Sequence, residues 1–263
     1  SNTPPPAPVL TASDLAAMNP TQIAALSPGD LAALDASQLS GLTASQLGTL
    51  SSMQLSALSA SQMAVLGAAQ LRGLSSAQLG GLSSAQLGAL TASQVTALGA
   101  AQLTGLSAAQ LGGLSGAQLG ALSATQVAAL TEGQVGELTT AQVSVLSATQ
   151  VKALVTADVA KLSTAQIQAV TASAVAAMST AQVKALTTTQ AEKLTAAQVA
   201  SLTATQVAGL ETEDLAKFSS SQLQALNATT VAALSTTQVA ALTTDQIDKL
   251  TATQVKALTT AQV

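Results

Sequence analysis

The chain has 263 residues, 48% of them hydrophobic, with a single aromatic, Phe218, no Cys, His, Trp or Tyr, and a net charge of -4. Most side chains from which active sites are built are therefore missing, and eight basic residues against twelve acidic ones offer no electrostatic footprint for a phosphate backbone or an anionic lipid surface. Apolar runs are short and each ends at a polar residue, so none approaches the roughly 20 residues of a membrane-spanning helix.

Residues 1–9, with prolines from Pro4 to Pro8, read as a stiff linker or tag remnant. From Leu10 an apolar residue recurs at every eighth position as far as Leu258 without insertion or deletion; Met18, Val170, Met178 and Phe218 are the departures from Leu. Counted from the following residue, the octad is [ST]-x-x-Q-[LV]-x-x-L, as in Thr91 to Leu98. Thirty-one complete octads run from Thr11, and Thr259 opens a partial one that stops at Val263, so residues 10–263 read as one repeat array and the chain as a piece of a larger protein.

The first octad position is Ser, Thr, Asn or Asp in 28 of its 32 occurrences, and the fourth is Gln in 26. This is the pattern of a capping box: the first side chain accepts from the backbone N–H three residues on, and the Gln reaches back to the N–H of the cap. The Leu before the cap and the Leu or Val at position five have the spacing of a hydrophobic staple. Pro20 and Pro28 fall at position two, the first helical residue, where a missing N–H costs nothing. All eight basic residues lie at positions six or seven and nine of the twelve acidic ones at positions one to four, which complements a helix dipole in each octad.

The octad therefore predicts one mini-helix of one to two turns, too short to be stable alone. A single continuous helix fails, because an octad stripe drifts by about 80° per repeat around the rod and buries nothing. The predicted fold is all-α, a solenoid of abutting mini-helices with Leu and Val inside and position six outside. A β-solenoid with a stacked Gln ladder is the alternative. The number of mini-helices per superhelical turn does not follow from the sequence.

Along the array, Gly is frequent at positions six and seven between Gly41 and Gly120, which means either drift among duplicated units or tighter packing; beyond Val127, Val dominates position five and seven of the eight basic residues appear. Val155 and Glu211 break the cap consensus, and Ala174 and Thr230 the Gln position, as tolerated losses; Asp14, Asp30, Asp158 and Asp214 stand there too. Glu211, Glu213 and Asp214, with Asp245 and Asp248 farther on, are the only dense acidic cluster. Weak calcium binding is one reading of it, and complementation of helix N-termini, with no calcium-loop spacing present, is the better one. No catalytic, cofactor-binding or metal-binding residue is assigned, since no His or suitably placed Lys activates the abundant Ser and Thr.

Runs such as Leu242-Thr-Thr-Asp-Gln-Ile-Asp-Lys-Leu250 resemble tandem octapeptide segments of very large bacterial surface and secreted proteins, often in chains that carry calcium-binding secretion repeats. The resemblance implies a secreted or cell-surface bacterial setting and export of the parent protein, although no calcium nonapeptide is present here. A partial likeness to the opening helix of TAL-effector repeats, in the Leu-Thr-x-x-Gln-Val start, implies shared capping only, because the period is eight and base-reading residues are absent. The expected role is a non-enzymatic spacer or stalk, with a self-assembling or adhesive module as the alternative and ice binding through regularly spaced Thr as a minor one. Expected partners are other parts of the parent chain or further copies, with no nucleic acid, membrane insertion or small-molecule substrate.

Overall fold

The computed structural model describes residues 10–263, so the Pro-rich segment 1–9 lies outside the described residues. Among these residues there are 31 helices and no strand, from α1 (Ala12–Ala17) to α31 (Ala252–Ala257), one in each octad and each five or six residues long. The all-α solenoid is the fold of the chain and the β-solenoid is not. Each helix starts at the second octad position because the first holds the cap. Thr203, for example, is extended (φ -78°, ψ 160°), its hydroxyl oxygen accepts from the Gln206 N–H at 3.2 Å, and its own N–H donates to Gln206 Oε1 at 2.8 Å. Pro20 and Pro28 occupy the first helical position as expected.

Each helix ends where the chain must reach the next cap. The amide of the eighth residue donates to the carbonyl of the fifth, as from Leu210 to Val207 at 3.1 Å, which tightens the last turn. No described residue has a positive φ, so glycine is not used for a left-handed exit. It is used for close approach. A Cβ on Gly41 would overlap the backbone of Ala12, and one on Gly73 that of Ala44, at contacts 29 residues apart in sequence. Gly88 and Gly136, by contrast, have open space where a Cβ would stand. Tighter packing therefore accounts for Gly41 and Gly73, and no contact requires the glycine at 88.

Positions five and eight form the core. Leu47, Leu55, Val199 and Val207 are fully buried, and Leu58, Leu202 and Leu210 nearly so. The described residues fall into two compact units divided between Leu122 and Ser123. Each is built on the same rule, in which a helix packs on the one three octads away. In the first unit α1 packs on α4 (Ala36–Ser40) and α5 (Ala44–Gly48) on α8 (Ala68–Arg72); in the second α18 (Ala148–Ala153) packs on α21 (Ala172–Ala177) and α21 on α24 (Ala196–Ser201).

Candidate functional site

The fourth-position glutamine is the residue on which the array turns. In sequence its task is to close a capping box, and Oε1 does so; the structure gives Nε2 a second task. In Gln206 this nitrogen donates to the carbonyls of Val175 at 2.9 Å and Met178 at 2.7 Å, 31 and 28 residues earlier. Gln70 repeats the arrangement on Leu39 at 2.8 Å and Leu42 at 2.6 Å, and Gln254 on Leu223 at 2.6 Å and Leu226 at 2.8 Å. The acceptors are the carbonyls at positions five and eight of the octad four before, in the last turn and exit of a mini-helix; the position-five carbonyl also accepts from the amide of its own eighth residue, as Val175 does from Met178 at 3.1 Å. One planar amide thus satisfies the start of its own helix and the end of another.

This bond also sets the winding. A helix packs three octads back while its glutamine reaches four octads back, so each helix lies across the joint between two helices of the preceding coil, and a coil holds between three and four octads. The amide is buried by that position: Gln206 and Gln254 are each 2% exposed. A smaller set of bonds runs the other way, from position-six side chains to carbonyls 25 residues ahead, as from Arg72 Nε to Ala97 at 3.0 Å and from Gln168 to Lys193 at 2.9 Å.

The sequence carried a signal for the second task. A capping box accepts Glu as readily as Gln, and the helix dipole favours Glu at the third helical residue. Yet none of the 32 fourth positions is Glu. An acceptor alone suffices for the box; only the amide also donates to the preceding coil.

The exceptions divide accordingly. Asp14 and Asp30 lie in the first described coil, exposed, and each carboxylate accepts from the N–H and hydroxyl of its cap, Thr11 or Ser27. Those hydroxyls, and then the amides, hold both carboxyls below the usual aspartate range. Ala174 and Thr230 keep the cap accepted by Thr171 and Asn227 but carry no side-chain amide. Val155 caps without a side-chain bond, and its N–H donates to Asp158 Oδ2 at 3.2 Å. Asp158 and Asp214 are 1% and 3% exposed, each with one carboxyl oxygen that has no hydrogen-bond partner. Burial is the main cause that pushes both carboxyls upward.

The fold gives the members of the acidic cluster different surroundings. Glu211 pairs with Lys184 at 3.1 Å, Asp214 is buried, and Glu213 and Asp245 sit in first turns, where they complement helix dipoles, whereas Asp248 closes α30 (Thr244–Asp248). No group of three or more acidic side chains among the described residues is placed to hold a metal ion. One shallow depression, lined by Glu132, Gly133, Gly136, Glu137 and Lys161, brings no nucleophile together with a base.

The family model of the ALTTAQ repeat matches this chain in five stretches, residues 63–100, 95–132, 153–188, 175–204 and 207–244, which together cover more than half of it. The chain belongs to the ALTTAQ repeat family. The six letters occur as Ala257 to Gln262, and in octad terms they run from position seven across the joint to the glutamine. An ALTTAQ repeat is thus named for the segment that holds the end of one mini-helix, the staple Leu, the cap and the amide. Among curated proteins, none matches the chain. No helix of the described ALTTAQ array is long and apolar enough to cross a membrane.

Proposed function

We propose that this ALTTAQ array is a non-enzymatic structural module, a spacer or stalk whose length follows its number of octads, within a secreted or surface protein of a bacterium. The observation that carries the reading is the backbone destination of the buried glutamine amides: within each unit, as at Gln70 in the first and Gln254 in the second, they join successive coils by one repeated bond. Contacts that reach only three or four octads away allow octads to be gained or lost without a global closure to satisfy. The lack of His, Cys, Tyr and Trp supports the non-enzymatic part, and the resemblance to tandem octapeptide segments supports the bacterial surface setting. Small-angle scattering of variants in which several octads are deleted or duplicated tests the spacer. Its maximum dimension should change in proportion to octad number at constant helicity per residue. A particle whose maximum dimension ignores octad number would end the reading, and filaments forming as concentration rises would favour the self-assembling module instead.

A further inference from the structure

Two buried carboxyls occupy the place where the array needs a donor. By the register of the other octads, the carbonyls of Val127 and Leu130 stand below Asp158, 31 and 28 residues earlier, and those of Val183 and Leu186 below Asp214, as Val175 and Met178 stand below Gln206. Both positions lie within the unit that begins at Ser123, at the N3 position of α19 (Thr156–Lys161) and of α26 (Thr212–Ala216). A carboxylate has no hydrogen to give. Ionised, it sets a buried negative oxygen against backbone acceptors; protonated, it has one O–H in place of the missing amide. The unpaired oxygens, Asp158 Oδ1 and Asp214 Oδ2, are the ones left over.

We propose that Asp158 and Asp214 are acid-operated joints between coils, loosened when the carboxyls ionise and closed when each is protonated and donates to a carbonyl of the coil four octads back. Charges of both signs surround both sites, and the ones that act on the two carboxyls are negative. Around Asp158, α16 (Glu132–Gly136) brings Glu132, with Glu137 at its end; Lys161 is on the same helix as Asp158 and 3.9 Å from Glu132; α22 (Thr180–Lys184) brings Lys184, and α23 (Thr188–Lys193) Glu192 and Lys193. Around Asp214, Glu211, Glu213 and Lys217 belong to its own octad, α23 brings Glu192 and Lys193, α22 brings Lys184, α29 (Thr236–Ala240) brings no charge, and α30 brings Asp245 and Asp248. Burial, and after it the negative charges of Glu132 at one site and of Glu211 and Glu213 at the other, raise the two carboxyls, against hydrogen bonds from the Val155 amide and the Thr188 hydroxyl.

The sign follows. An acid with a folded-state pKa above its unfolded value of 3.8 gives stability that is full below that value and is lost as pH rises through the folded pKa. The test is thermal unfolding of the full chain beside D158Q/D214Q, which restores the consensus amide, from neutral pH down past the ordinary aspartate value. At neutral pH the variant should melt several degrees higher, and the gap should close on acidification; the remaining carboxyls are common to both proteins and cancel in the difference. A gap that stays constant or widens as pH falls overturns the proposal. Independently, the side-chain carboxyl carbons of Asp158 and Asp214, followed by NMR in the unaltered chain, should titrate above 3.8, and a midpoint at or below that value overturns it as well.

Discussion

Replacing Gln206 by Ala, set beside the same change at Gln22, separates the two tasks of the fourth-position amide. In the unaltered chain Gln206 accepts from Thr203 N–H at 2.8 Å and donates to Met178 at 2.7 Å and Val175 at 2.9 Å. The Val175 carbonyl keeps a partner in the Met178 amide at 3.1 Å, so Ala at 206 strips Thr203 N–H and the buried Met178 C=O, and with them the longer bond to the half-buried Ala176 C=O at 3.3 Å. Gln22 is exposed and reaches only its own cap, Asn19, at 2.8 Å, so its loss uncovers an N–H that water reaches. A lost cap is worth about 1 kcal/mol, toward the lower end of its range at an exposed site. A dry Met178 carbonyl adds about 1–3 kcal/mol. Q206A should therefore cost about 2–4 kcal/mol and Q22A about 0.5–1 kcal/mol. A measurement that reads each octad separates a local loss from a global one, which a single unfolding curve of a long repeat array does not. Amide hydrogen exchange provides it: at about 1.4 kcal/mol per factor of ten, Q206A should raise opening by roughly thirty-fold or more. The effect should reach residues 175–178, in an octad four repeats from the substitution. Loss of protection confined to the substituted octad, or equal losses for Q206A and Q22A, would refute the coil-to-coil assignment.

Three other substitutions follow from the packing. Gly73→Ala forces a methyl onto the backbone of Ala44 and should destabilise by about 1–3 kcal/mol in thermal unfolding, whereas Gly88→Ala meets open space and should stabilise by about 0.5–1 kcal/mol. Ala174→Gln supplies an amide to the Thr171 N–H and, by register, to the Val143 and Leu146 carbonyls; its melting temperature should rise, and a fall would show that the Ala174 site has closed around the smaller side chain. Lys184→Ala removes a pair with Glu211 whose side chains are 63% and 49% exposed, so chemical denaturation should register less than about 1 kcal/mol.

The sequence specifies each mini-helix almost completely, because the cap, the box and the staple are local interactions between residues three to five apart. Thr11 with Asp14, and Asn19 with Gln22, sit as their spacing requires. The winding was not legible, since a strict period of eight fits any number of octads per coil, and the separations of 28 and 31 residues that fix it are bonds to carbonyls, which carry no side-chain signature. The inward face of position four is hidden for a related reason: a capping box does not say on which side of the array its Gln lies, and only the exclusion of Glu marks its nitrogen as needed. Asp158 and Asp214 likewise read as dipole-complementing acids until burial is known.

The glutamine bonds have a direction. Gln46 reaches back to Leu15, Gln206 to Val175 and Gln254 to Leu223, so each such donor waits on acceptors that the ribosome has already delivered. An emerging octad finds its template complete, and the nascent chain can wind itself on from its first coil without holding a long unfolded stretch in reserve.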